Sequence, residues 1–203
     1  MSVIKGLRAA TARSPTIRKA VTVGALAASG GLVAGEDVQS VARKLSAVDR
    51  CIEILSDSMA KLPSFVIDNR TRERLPHNIL YLLNVRPNEA MTPFVRKKVL
   101  ETSRLEGGNG YDWIIRDPST GLPKELIPVP WQLVQQWHDG AGRIWYDITH
   151  PLTGELMRLA NEDVCHYKNA TRNGLKGIGT LSRAEDVIAA ARAAQQYDAS
   201  YYQ

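Results

Sequence analysis

Residues 105–130 read LEGGNGYDWIIRDPSTGLPKELIPVP, and this stretch combines helix-end, strand and turn signals within 26 residues. The paired Gly107 and Gly108 predict the left-handed end of a helix. An aromatic and β-branched run that starts at Tyr111 predicts a strand. DPSTG at 117–121 predicts a turn, and LIPVP at 126–130 predicts the strand that returns from it. The stretch therefore predicts a helix that passes directly into a β-hairpin.

Three helices are expected before the hairpin, a short one at 77–84 and two longer ones. Thr92 followed by Pro93 is an N-cap pattern, and it opens a helix to about residue 106 with Val95, Val99 and Thr102 on one face. A longer helix is predicted over residues 37–62, because apolar residues recur there at alternating intervals of three and four. They are Val38, Val41, Leu45, Val48, Ile52, Leu55, Met59 and Leu62. This helix either lies on a sheet or contacts another subunit, since the stripe is long for a small domain.

The remaining pattern predicts an α+β fold. A strand is expected at 64–68, a polar turn at 69–74 and a short helix at 77–84. Residues 110–168 predict a meandering, mostly antiparallel sheet, with turns at DGAG (139–142) and PLTG (151–154). A loop at 169–179 leads to a helix that Ser182 and Glu185 are predicted to open as a capping box. This helix is expected to run off the chain end, as in a fragment of a longer protein.

Charge is concentrated in the first 35 residues. The chain has 203 residues and a net charge of +5, and residues 1–35 hold five basic residues and no acidic one. Residues 36–203 then carry 21 basic and 21 acidic residues and are neutral. A basic tail is typical of contact with nucleic acid or a membrane surface. Residues 1–35 are interpreted as a flexible basic and small-residue arm, and the alternative is the leader of an exported or membrane-associated binding module.

No catalytic, cofactor-binding or metal-binding residue is predicted, and the chain is expected not to be an enzyme. Cys51 is expected to be a small buried hydrophobe. Cys165 and His166 are neighbours on a strand and should point to opposite faces, which favours structural roles over a hydrolytic dyad. The glycine-rich loop at 174–180 lacks the spacing of a phosphate-binding loop. Four tryptophans in the β region (113, 131, 137 and 145) favour core or subunit-interface packing over stacking on nucleic-acid bases.

Five motifs in one order resemble the tailed-bacteriophage portal proteins. They are VDRCI with SMAKLP (48–63), HNILYLL with RPN (77–88), the GGNGY-to-PVP hairpin (107–130), DVCH (163–166) and GIGTL (177–181). The resemblance covers about residues 36–203. Family members usually have Ser-Pro near Thr180 and Leu181, and they are markedly longer than this chain.

The resemblance implies a structural role without cofactors. Portal proteins form a dodecameric ring at one capsid vertex, through which DNA is packaged and ejected. The implied partners are further copies of the chain, the major capsid protein, the terminase large subunit, a head-tail adaptor and duplex DNA, which is bound non-specifically. The implied location is the virion, with assembly in the host cytoplasm. Residues 36–203 would be mainly the wing of each subunit, with stem, clip and crown largely absent.

Overall fold

The computed structural model describes residue 42, residues 45–151 and residues 153–201. The predicted arm at 1–35 and the start of the predicted helix at 37–62 lie outside these residues. The helices are α1 (Ser46–Ala60), α2 (Ile79–Asn84), α3 (Pro93–Gly107), α4 (Thr180–Arg183) and α5 (Glu185–Tyr201). The strands are β1 (Asn109–Arg116), β2 (Pro123–Val129), β3 (Val134–His138), β4 (Ile144–Thr149), β5 (Leu156–Ala160) and β6 (Val164–Lys168).

The α+β fold with antiparallel strands is confirmed, and the strands form two sheets. One sheet has the order β2-β1-β6 and the other has the order β3-β4-β5. The predicted meander is interrupted because β6 returns to β1, where His166 lies opposite Tyr111. The central strand β1 therefore receives partners from both sides, β2 on one edge and β6 on the other.

The described body is built in four layers. Helix α1 packs against α3, α3 packs against the first sheet, and the other face of that sheet packs against the second sheet. The first core lies among the helices and contains Ala42, Leu45, Ile52, Leu105, Leu181 and Ile188. The second core lies between the sheets and contains Tyr111, Val129, Tyr146, Ile148 and Val164. Helix α1 thus packs mainly on another helix, whereas one interpretation of its sequence placed it on a sheet.

The predicted ends of α3 are confirmed. The Thr92 hydroxyl accepts the Val95 N–H at 3.3 Å, Pro93 is the first helical residue, and Gly108 adopts φ +79° after the last turn. On the face that holds Val95, Val99 and Thr102, Val95 is exposed, whereas Arg96, Leu100 and Ser103 are buried. The buried face carries the polar side chains of Arg96 and Ser103, which bond to Asp112 and to the Asn109 carbonyl of β1.

Three further local predictions differ from the structure. The strand at 64–68 is reduced to one isolated bridge, between Ile67 and Arg74, because no sheet among the described residues extends it. The chain is helical from Thr180, before the predicted capping box at Ser182. Cys51 is exposed, in an open groove between α1 and the residues Leu105 and Leu181, rather than buried as predicted. The short helix at 77–84, the hairpin turns and the terminal helix lie close to where they were predicted.

Candidate subunit-contact surface

The two residues that most suggested chemistry point away from each other. Residue Cys165 is exposed as a whole, but the surrounding protein desolvates its thiol. This desolvation, with the nearby Asp112 carboxylate, raises the pKa of the thiol. His166 lies on the other face of β6, stacked on Tyr111 with ring centroids 4.4 Å apart. The pair therefore does not form a dyad, and a raised thiol pKa disfavours a nucleophilic thiolate.

Asn109 fixes the histidine in a structural network. Its side-chain oxygen accepts the Gly177 N–H at 2.7 Å, so the amide oxygen also faces the His166 Nε2 atom at 2.9 Å. That nitrogen must carry the proton, which leaves Nδ1 as the acceptor beside the Tyr146 hydroxyl at 3.3 Å. Burial, with Lys168 and Lys176 nearby, lowers the pKa of His166 to about 4. His166 is neutral at physiological pH and joins the two sheets.

The glycine-rich loop closes against the end of α3 and leaves no cradle for a phosphate. A β-carbon on Gly177 would lie 2.0 Å from the Gly108 carbonyl oxygen, and one on Gly179 would lie 2.1 Å from that of Glu106. The Asn169 N–H donates to the Gly108 carbonyl at 2.9 Å. These glycines allow two backbone segments to touch, which is a packing role.

Within residue 42, residues 45–151 and residues 153–201, no group of three or more His, Cys, Asp or Glu side chains could hold a metal ion. None of the helices in this part of the chain has the length and apolar character needed to span a membrane.

Several large apolar side chains are exposed on α1 and in the hairpin after it, residues 62–75, which the bridge between Ile67 and Arg74 closes. Between 48% and 56% of each of these residues is accessible to solvent. They are Leu55, Met59, Leu62, Phe65 and Ile67, and together they are called the apolar ridge. The first part of the same sequence stripe, Leu45 and Ile52, lies in the helical core. The stripe is therefore divided between an internal contact and a free surface.

Polar contacts hold the ridge in a defined position. Asn84 accepts the Ser64 N–H at 2.9 Å and donates to the Ser64 carbonyl at 2.8 Å, which ties the hairpin to α2. Lys97 donates to the Leu62 carbonyl at 2.5 Å, and Lys98 pairs with Asp57 at 2.7 Å. An anchored segment thus presents these exposed apolar groups, and large exposed apolar surface is typical of a protein interface.

A shallow apolar groove adjoins the ridge. It has a volume of about 270 Å³ and runs between α1 and the start of α4. Its lining residues are Ala47, Val48, Cys51, Ile52, Leu55, Leu105, Thr180 and Leu181. Leu55 belongs to both features, so the groove extends the apolar surface along α1.

Two of the four tryptophans pack against a core, and the other two stack on each other. Trp113 and Trp131 lie against the core between the sheets, and Trp131 covers Gly107 so closely that a β-carbon there would lie 2.1 Å from its ring. Trp137 and Trp145 stack on each other across β3 and β4, with ring centroids 6.1 Å apart.

Sequence reasoning missed two arrangements that organise the body. One is the ion pair between Arg96 and Asp112, which is buried between α3 and β1. The other is the network around Asn109, which joins the end of α3 to the loop before α4. The GGNG step at 107–110 was the available signal for Asn109, whereas nothing local marks Arg96 as buried.

Known structures share this architecture. The chain resembles one in the virion of a native gene transfer agent particle, with 21% identity over 81% of this chain and a TM-score of 0.65. It also resembles a chain in the neck of a native gene transfer agent particle computed with C12 symmetry, with 21% identity over 82% of this chain and a TM-score of 0.63. A third match is an HK97-family phage portal protein from Corynebacterium diphtheriae, with 23% identity over 80% of this chain and a TM-score of 0.54. The chain covers 44%, 45% and 48% of these three proteins, less than half of each.

Sequence comparison assigns the family. A search of curated protein sequences finds no significant match. The model of the phage portal protein family matches residues 46–203, which is most of the chain and nearly all of its described body. The order of motifs, the α+β architecture and this match agree, and the chain belongs to the phage portal protein family.

Proposed function

We propose that residues 36–203 form the wing part of a portal subunit, a structural element of the ring at the capsid vertex of a phage-like particle. The family match over residues 46–203 carries this proposal. The likeness to a neck computed with C12 symmetry supports assembly of copies around one axis in the virion. The proposal includes assembly of the ring in the host cytoplasm. Residues 1–35 carry the excess positive charge of the chain. The comparisons give no support to the alternative of an exported or membrane-associated binding module.

The role is structural rather than catalytic. The residues that most suggested chemistry, Cys165 and His166, occupy separate faces of β6. The contacts proposed for the ring are with further copies, the major capsid protein, a head-tail adaptor and the terminase large subunit, with duplex DNA passing through the channel. Duplex DNA that must slide through the channel requires weak contacts to its phosphates. The body has no excess positive charge for such contacts, which fits a position away from the channel.

The apolar ridge is proposed as a contact between subunits. Its five side chains are about half exposed although they are large and apolar, and burying such a side chain contributes roughly 1.5–3 kcal/mol. In a single copy these side chains stay exposed to water. Contact with a neighbouring copy in a ring would bury part of their surface and so contribute part of this free energy.

Self-association tests the proposal. We expect multi-angle light scattering to show oligomers that grow with protein concentration. Met59→Asn with Leu62→Asn should shift the protein toward monomer, because both changes make the ridge polar. Val187→Asn is the matched control, since Val187 is an exposed apolar residue of α5 outside the ridge. A chain that remains monomeric at every concentration, or a ridge variant that associates like the control, would contradict the proposed role.

A further inference from the structure

The apolar groove between α1 and the start of α4 opens the helical core to the surface. Among the described residues that line it none is charged, and the Cys51 thiol and the Thr180 hydroxyl are its polar side-chain groups. Ile52 and Leu105 of its lining are buried members of the helical core, whereas Leu55 is about half exposed. Covering this groove with an apolar segment would remove further apolar surface from water, which is favourable.

The chain enters the body at this core. Ala42, the first described residue, is fully buried and belongs to the same cluster as Ile52 and Leu105. Helix α1 does not continue back through Leu45, whose backbone is extended with ψ 106°. The Leu45 N–H donates to the Ala42 carbonyl at 3.0 Å, so the chain turns there. The residues that precede Ala42 therefore start next to the core that the groove exposes.

The sequence before Ala42 contains a segment that suits an apolar groove. Residues 20–35 read AVTVGALAASGGLVAG, which is the longest stretch of the chain without a charged residue. Its glycines and alanines allow a backbone to lie close to another surface. Residues 36–41 link it to Ala42 and span roughly 20 Å when extended. The groove follows α1 from Ala47 to Leu55, about 12 Å of helix, so the link is long enough for the segment to reach it.

We propose that residues 20–35 dock in the apolar groove of the same chain and cover Cys51. The short link favours this occupant over a second copy, because a tethered segment has an effective concentration on the order of millimolar. The five basic residues of 1–35 all precede residue 20, so docking holds them beside α1. This contact goes beyond the proposed function and does not require a ring.

The reactivity of Cys51 reports whether the groove is covered. Iodoacetamide alkylates an accessible thiolate, and peptide mass spectrometry of the full chain gives a separate rate for each cysteine. Cys165 is the internal reference, because it lies on β6 and does not line the groove. Rates are measured over a range of protein concentrations, which separates cover within one chain from cover by a second copy.

Leu32→Asp with Val33→Asp is the test variant, since two charges should not enter an apolar groove. Val3→Asp with Ile4→Asp is the matched control, with the same change of charge outside residues 20–35. We expect Cys51 to react about tenfold faster in the test variant than in the natural chain, as for a groove covered about nine-tenths of the time. The control should react like the natural chain, and the Cys165 rate should be the same in all three proteins.

Equal Cys51 rates in the natural chain and the test variant would overturn the docking. Protection that disappears on dilution would assign the cover to a second copy and would also overturn it. A rise in the Cys165 rate of the test variant would indicate general unfolding. Leu26→Ser with Leu32→Ser, a milder change in the same segment, then takes its place with the same expected result.

Discussion

Arg96 and Asp112 form an ion pair that is almost completely buried between α3 and β1. Burial raises the pKa of Asp112, and the guanidinium opposes that effect. Removing one partner leaves a buried charge uncompensated, so Asp112→Ala should lower the free energy of unfolding by about 3–5 kcal/mol. Urea denaturation measures this change.

The control for this prediction is the exposed pair of Arg50 and Glu53. Glu53→Ala should cost less than about 1 kcal/mol, because water screens exposed pairs. The double change of Arg96→Met with Asp112→Leu should recover most of the stability, since it removes both charges together. An Asp112→Ala protein as stable as the Glu53→Ala protein would show that the ion pair is not buried in solution.

His166 should make stability depend on pH. Its pKa is about 4 in the folded protein and 6.5 in the unfolded chain, so the unfolded chain binds the proton first as the pH falls. The contribution to stability is therefore fully present above about pH 6.5 and is lost as the pH falls toward 4. Between pH 7 and pH 5 we expect a loss of about 1–2 kcal/mol, measured by urea denaturation at the two values.

The comparison for this prediction is His166→Gln, which removes the titrating group and retains an N–H donor for Asn109. Its free energy of unfolding should change less between pH 7 and pH 5 than that of the natural chain. Equal pH dependence in the two proteins would assign the effect to other groups and refute the role of His166.

At the scale of elements, the loop between β6 and α4 is positioned by contact with the end of α3. Gly177 lies so close to Gly108 that a methyl group cannot fit without backbone movement. Gly177→Ala should therefore lower the free energy of unfolding by about 1–3 kcal/mol or more. Thermal and urea denaturation measure the change.

Gly140 provides the matched comparison. A β-carbon there meets nothing within 4 Å, and its φ lies outside the left-handed region. Gly140→Ala should change stability by less than about 0.5 kcal/mol in either direction. If the two substitutions had the same effect, the close approach of the two backbone segments would be wrong.

At the scale of the whole molecule, the distribution of charge separates an arm from a body. The five basic residues of 1–35 carry the whole net charge, and the body is neutral. We expect the chain to bind random-sequence duplex DNA weakly, with log affinity falling by at most about 4.5 per unit of log salt concentration, about 0.9 for each phosphate neutralised. Fluorescence anisotropy across a salt series measures this slope.

Replacing the five basic residues of the arm with glutamine is the decisive variant for DNA binding. Those residues are Lys5, Arg8, Arg13, Arg18 and Lys19. Binding should then disappear, because no excess positive charge remains. Persistent binding by this variant would place a DNA contact in the body and contradict its proposed position away from the channel.

The sequence by itself determined the features that depend on neighbouring residues. The Thr92 cap, the Gly108 helix end and the turn at 117–121 were all predicted, because their hydrogen bonds join groups only a few residues apart. The α+β class followed from these local signals, and the order of motifs indicated the family.

Only the tertiary structure decided which surfaces are buried. The pairing of β6 with β1 joins residues more than fifty positions apart, and it divided the strands into two sheets. The stripe on α1 has one apolar pattern throughout, yet Ile52 is core and Met59 is exposed because α3 and α4 cover only part of the helix. Burial depends on what distant segments cover, and an apolar pattern along one helix carries no information about where that cover ends.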